Sequence, residues 1–144
     1  MSQQALKVEV LSPEKPLVIA EAKSVLLPGV FGYMEILPKH APLISELDCG
    51  RLKLTNSANE SNDFFIAGGY VEVIDNTVRI LVDVGESIDD IDASRAEAAL
   101  VRADERLSKH KVDVDIARAR YAEKKAKERL ALVKLIAANS GRSH

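Results

Sequence analysis

Three histidines, one cysteine, a glycine pair and an acid–arginine doublet are the residues here whose types invite chemistry. His40 could serve as a general base only with a nucleophile or substrate within hydrogen-bond reach. No Gly-x-Ser-x-Gly run accompanies it, and no spacing suggests a pairing with Cys49. It reads as a turn histidine that hydrogen-bonds its own loop. His110 and His144 stand in a helix connection and a tail, and three isolated histidines without ligand spacing do not make a metal centre. Cys49 has only Arg51 nearby to favour a thiolate, so it reads as a passive residue at a strand entry. Gly68-Gly69 lacks the Lys-Ser/Thr of a phosphate loop and is flanked by strand-like runs, which points to a bulge or a close backbone approach. Asp92 and Arg95 suit a helix N-cap with a solvated ion pair.

The elements that must carry these residues fall into two halves. Lys7–Leu11 alternates polar and apolar residues, as does Arg51–Thr55. Pro13 and Pro16 break the chain after Leu11; Lys23–Leu27, Tyr33–Leu37, Phe64–Ala67, Tyr70–Ile74 and Val78–Val84 are further short apolar runs, separated by Pro, Gly and Asn signals. Asn56–Asn62 is turn-rich, and Asp75-Asn76 has the spacing and residue types of a two-residue hairpin turn. Many short strands with regular turns imply an antiparallel β-sandwich or flattened barrel.

The period then changes. No Pro follows Pro42, and no Gly lies between Gly85 and Gly141. Asp89, Asp90 and Asp92 precede an Ala-rich run, where acids favour a helix N-terminus. Ala93, Ala96, Leu100, Ala103 and Leu107 form one apolar stripe; Ile116, Ala119, Ala122, Ala126, Leu130, Val133 and Ile136 form a second. Ser108–Asp113 interrupts them, and Asn139-Ser140-Gly141 carries C-cap chemistry. The fold expected is α+β: a sandwich over residues 1–88, then an antiparallel two-helix hairpin over 89–144. Ala-rich stripes bury little area, so the hairpin should be only marginally stable alone.

Composition narrows the function class. The chain has 144 residues, 47% hydrophobic and 29% charged, with net charge −2, as a soluble globular protein does. Its apolar runs are far shorter than the roughly 20 residues needed to span a bilayer. Its N-terminus reads as neither a signal peptide nor a mitochondrial presequence. A single cysteine excludes an internal disulfide and suits a reducing compartment. Charge is unevenly spread: 7 Lys+Arg against 14 Asp+Glu through Asp90, and 13 against 8 beyond it. An acidic front and a basic tail suggest different partners. The basic second helix could neutralise nucleic-acid phosphates, but the acidic front and the lack of a groove-reading motif oppose that. A membrane-surface helix is opposed by an apolar face without Trp or Phe.

Four motifs, in order, carry a family resemblance. Pro28-Gly29-Val30-Phe31-Gly32-Tyr33-Met34-Glu35-Ile36-Leu37-Pro38-Lys39-His40-Ala41-Pro42-Leu43 resembles the signature of ATP synthase epsilon subunits. Gly50-Arg51-Leu52 is similar to that family's Gly-x-Leu strand start, and Ala67–Val73 to its Gly-Gly-Phe-x-Glu-Val element. Ile91-Asp92-Ala93-Ser94-Arg95-Ala96 matches its Ile/Leu-Asp-x-x-Arg-Ala motif. The resemblance covers roughly Leu6 to Ile136. Tyr33 and Glu35 depart from the family's Glu and Gly, in the loop that faces the membrane ring, and Cys49 stands where many members have Pro.

The resemblance implies a non-catalytic part of a bacterial proton-driven ATP synthase, peripheral to the cytoplasmic side of the plasma membrane. The sandwich would grip the gamma subunit and the c-ring, with Tyr33, Glu35 and His40 in the ring-facing region. The hairpin would lie folded on the sandwich or extend into the alpha/beta catalytic head and block hydrolysis. Arg118, Arg120, Lys124, Lys125 and Lys127 would meet an acidic segment of the beta subunit there. Some members bind ATP between sandwich and hairpin; matched residue by residue, that site would use Glu86, Ile91, Asp92, Arg95, Ala96, Arg102 and Arg129. Lys125 stands where the best binders carry Arg and lacks the planar bidentate fork, so binding would be weak. No other cofactor is implied, nor any metal or nucleic acid.

Overall fold

A computed structural model describes residues 5–108 and 113–140 of the chain. The readings made above for His110, His144, Gly141 and the first four residues lie outside the described residues. The chain divides at Ser87/Ile88 into two compact units.

The first unit is all strand. Its elements are β1 (Leu6–Leu11), β2 (Pro16–Ala22), β3 (Ser24–Gly29), β4 (Gly32–Ile36), β5 (Leu43–Glu46), β6 (Gly50–Thr55), β7 (Ser61–Ile74) and β8 (Thr77–Ser87). They join in the order β2-β1-β8-β7-β6-β3-β4, with β5 beside β7. The sandwich expected from the sequence is present, with one addition: β1 runs parallel to β8, from Lys7 opposite Thr77 to Leu11 opposite Leu81. β2 and β5 are strands that the sequence reading did not contain: Pro16 opens β2 at the edge of the sheet beside β1 instead of breaking the chain.

The long strands β7 and β8 serve both layers. Along one side of β7, β6 pairs with Ser61–Ile66 and β5 with Tyr70–Val73. Between them sits Gly68-Gly69, with φ of 74° and 119°. Pairing to β8 keeps one register through this point, from Phe64 opposite Ser87 to Ile74 opposite Thr77. The glycines therefore make no bulge, and the two runs read separately in the sequence are one strand. What changes is the facing of the side chains. Phe64 and Ile66 point into the core before the glycines, and Val71 and Val73 after them. A Cβ on Gly69 would collide with the Leu81 carbonyl, so the close-approach reading holds.

The core joins Leu6, Val8 and Val10 of β1 with Val25 and Leu27 of β3, Leu52 and Leu54 of β6, and Val78, Ile80 and Val82 of β8. These are the alternate positions of each strand, as a two-layer packing requires. Asp75 and Asn76, at φ 47° and 59°, make the two-residue turn between β7 and β8.

The second unit begins with a short 3-10 turn at Ile88–Asp90 and contains helices α1 (Ala93–Ser108) and α2 (Asp113–Ser140). Ala96 and Ala103 on α1, and Ala119 and Ala126 on α2, are buried, as the two stripes foretold. Leu132 is also buried although it lies off the expected stripe of α2. The apolar residues of α2 thus occupy more of its circumference than one stripe.

Candidate partner-binding surfaces

β3 and β4 form a tight hairpin whose tip, Val30-Phe31, leaves Phe31 fully exposed. Tyr33 braces this tip. Its hydroxyl accepts the Arg51 N–H at 2.9 Å, and its ring lies where a Cβ on Gly50 would strike. The Tyr33 hydroxyl is thus engaged within the sandwich while about half of the residue faces solvent. Glu35 is exposed on β4, opposite Leu26 of β3. The turn after β4 holds Lys39 at φ 69°, its N–H donated to Asn76 Oδ1 at 2.6 Å. His40 donates its Nδ1–H to the Ala41 carbonyl at 2.7 Å and its backbone N–H to the Leu37 carbonyl at 3.2 Å. It is the loop-bonded turn histidine expected. Cys49 is buried, and its N–H is held by Asp48 Oδ1 at 2.8 Å.

A second surface was not found by sequence reasoning. Register places Ile19, Glu9, Arg79, Glu72 and Ile44 in one row across β2, β1, β8, β7 and β5. Arg79 Nε donates to Glu9 Oε2 at 3.1 Å. The next row brings Leu81 beside Tyr70. Ile19, Ile44, Tyr70, Ile74 and Leu81 are all exposed on this face. Single exposed apolar side chains are ordinary, but several on one face beside a charge row make that face a candidate association surface. The available signal was a lack of alternation. Tyr70-Val71 and Val73-Ile74 on β7, and Ile80-Leu81-Val82 on β8, put apolar residues on both faces of those strands.

In the hairpin, Asp92 caps α1. Its Oδ1 accepts the Arg95 N–H at 3.1 Å and its carbonyl accepts the Ala96 N–H at 3.0 Å. The Ile91 N–H reaches the Ile88 carbonyl at 3.4 Å, and Ile91 is half-buried. Arg95 and Arg102 are exposed on α1, seven residues or about two turns apart, while Ala96 is buried. Arg129 is half-buried on α2. Glu86, paired opposite Phe65 on β8, belongs to the sandwich, whereas the other six residues of the nucleotide set belong to the hairpin. On α2, Arg118, Arg120, Lys124 and Lys127 are exposed. Lys127 Nζ lies 3.3 Å from Glu123 Oε1, and Lys125 Nζ sits 5.0 Å above the Tyr121 ring.

Among the described residues no three His, Cys, Asp or Glu side chains converge as metal ligands do, and no helix is long and apolar enough to cross a membrane.

The comparisons with known proteins agree with this architecture. The family described as ATP synthase, Delta/Epsilon chain, beta-sandwich domain matches residues 5–88, and its long alpha-helix domain matches residues 89–134. The ATP synthase epsilon chain of Moorella thermoacetica is 36% identical over 126 residues, 88% of this chain and 94% of that one. That of Solibacter usitatus is 38% identical over 126 residues, 88% of this chain and 93% of its own length. Among solved structures, a chain of the Euglena gracilis mitochondrial ATP synthase (OSCP/F1/c-ring) superposes with a TM-score of 0.81 at 17% identity, covering 90% of this chain and 81% of that one. A chain of the Tetrahymena thermophila mitochondrial ATP synthase (central stalk/c-ring) gives 0.63 at 20% identity, covering 92% of this chain and 99% of that one. At those identities the two structures speak for the fold. Both halves of the molecule and most of its length thus carry the same assignment: the chain belongs to the ATP synthase delta/epsilon family, among its epsilon-type, non-catalytic subunits.

Proposed function

We propose that the protein couples rotation of the membrane ring to ATP synthesis from a seat in the central stalk, and that its hairpin restrains ATP hydrolysis. The observation that carries this reading is the pairing of a rigid sandwich, exposing apolar side chains at its tip and on one outer face, with a basic hairpin. The row around Arg79, Tyr70 and Leu81 is offered to the gamma subunit. The β3–β4 tip and the turn at His40, with Tyr33 and Glu35, are offered to the c-ring. The hairpin has two positions, one on the sandwich and one reaching the catalytic head. Arg118, Arg120, Lys124, Lys125 and Lys127 meet acidic groups of the beta subunit in the second. The complex holds the chain at the cytoplasmic face of the bacterial plasma membrane.

Pull-down from the native cell tests the reading. Recovery of alpha, beta and gamma subunits is expected. Recovery of nucleic acid or of unrelated proteins in their place would turn the reading into that of a separate binding module.

The same reading extends to a weak regulatory ATP site made by Glu86, Ile91, Asp92, Arg95, Ala96, Arg102 and Arg129. Convergent arginines suit phosphate oxygens. Equilibrium dialysis with labelled ATP should show saturable uptake in the millimolar range, lost in Arg95→Ala. Uptake that never saturates removes the site.

A further inference from the structure

Of the three phenylalanines in the chain, Phe64 and Phe65 are buried, whereas Phe31 is fully exposed at the turn between β3 and β4. Val30 and Tyr33 beside it are exposed as well. From Ser24 to Met34 no residue is charged, in a chain of which 29% is charged. A lone exposed apolar side chain is ordinary. The stiffness of the mount sets this one apart.

Pairing of β3 with β4 runs up to Gly29 opposite Gly32, so Val30 and Phe31 alone make the turn. Backbone bonds fix its base from the other side of β3. The Val30 N–H donates to the Glu46 carbonyl at 3.2 Å, and the Asp48 N–H to the Pro28 carbonyl at 2.9 Å. The returning strand is tied down as well, since the Tyr33 hydroxyl accepts the Arg51 N–H at 2.9 Å. Little backbone freedom is left to lose on association, and an aromatic side chain presented in this way is suited to anchor an interface.

The charged groups tied to this mount are mostly acids. Glu46 and Asp48 bond its base through their backbones, and Glu35 stands on β4. Both glutamates are exposed. Arg51 is paired with Asp63 at 2.6 Å, and Lys39 lies beyond the far end of β4. An acidic collar is repelled by the anionic surface of a bilayer. It complements a protein site that has cations around an apolar centre.

We propose that Phe31 is the anchor of the β3–β4 tip and enters an apolar socket rimmed by cations on a partner protein, with Glu35 and Glu46 facing the rim. That the socket belongs to the c-ring rests on the reading of the tip given above; the anchor itself does not.

Synthase stripped of this chain and titrated with the full-length chain provides the test. Phe31→Ala should bind about tenfold more weakly or worse, and Phe31→Leu should lose less. Both free variants should unfold in urea as the unaltered chain does, because the side chain lies outside the core. Salt should weaken binding of the unaltered chain more than that of the double variant Glu35→Gln, Glu46→Gln. A photo-crosslinking residue in place of Phe31 should then mark the subunit that holds the socket. Affinity unchanged in Phe31→Ala, or crosslinks to lipid alone, overturns the anchor. Equal salt dependence in the double variant overturns the cationic rim. If Phe31→Ala binds weakly and the crosslink falls on a subunit other than the ring's, the anchor stands and the c-ring reading of the tip fails.

Discussion

Asp63 and Arg51 form the tightest described ion pair of the sandwich, with Nε and Oδ1 2.6 Å apart and side-chain exposures of 18% for Arg51 and 9% for Asp63. Removing one partner leaves the other charge poorly solvated, which costs more than the pair itself contributes. Asp63→Ala should lower the unfolding free energy by about 2 kcal/mol in a urea titration. Tyr33→Phe deletes a single acceptor for the Arg51 N–H and should cost about 1 kcal/mol by the same measurement. Gly69→Ala is the harsher change. It forces a side chain onto a residue at φ 119° and into the Leu81 carbonyl, so a loss of about 3 kcal/mol or more is expected, or no folded protein at all. At this scale the sequence was a good guide wherever the bonding is local. The His40 turn, the Asp75-Asn76 turn and the Asp92 cap each involve residues within a few positions of one another. The Tyr33–Arg51 bond, which spans 18 positions, left no mark in the residue pattern.

At the scale of elements, α1 depends on its cap and its alanines. Asp92→Ala should destabilise the start of α1 by about 1 kcal/mol, seen as faster amide exchange in its first turn with the sandwich unchanged. The stripe of α1 was legible because its period is set by one helix alone. The strands were legible in part. β1 and β6 alternate and were found; β5, four residues of Leu-Ile-Ser-Glu, has no such pattern and exists because β7 offers it an edge beyond Gly68-Gly69. The parallel pairing of β1 with β8 joins residues 70 positions apart, and nothing local announces it. For the same reason, the row around Arg79 appears only when five strands are laid in register. Sequence reasoning therefore located the basic hairpin and the tip, but not the outer-face row.

For the whole molecule, the proposed contact of the hairpin with the catalytic head is electrostatic in origin. Raising ionic strength to about 1 M shortens the screening length to about 3 Å. Restraint of hydrolysis by the chain should therefore weaken with salt, and replacing Arg118, Arg120, Lys124 and Lys127 together by Ala should remove the salt dependence along with the restraint. The sandwich has its own core, so a chain ending at Ser87 should still fold and still assemble. The most direct measurement is ATP hydrolysis by the synthase reconstituted with either the full chain or the chain ending at Ser87. Faster hydrolysis with the shortened chain, at equal assembly, is the expected result. Equal rates with both chains would contradict a hairpin that restrains the enzyme.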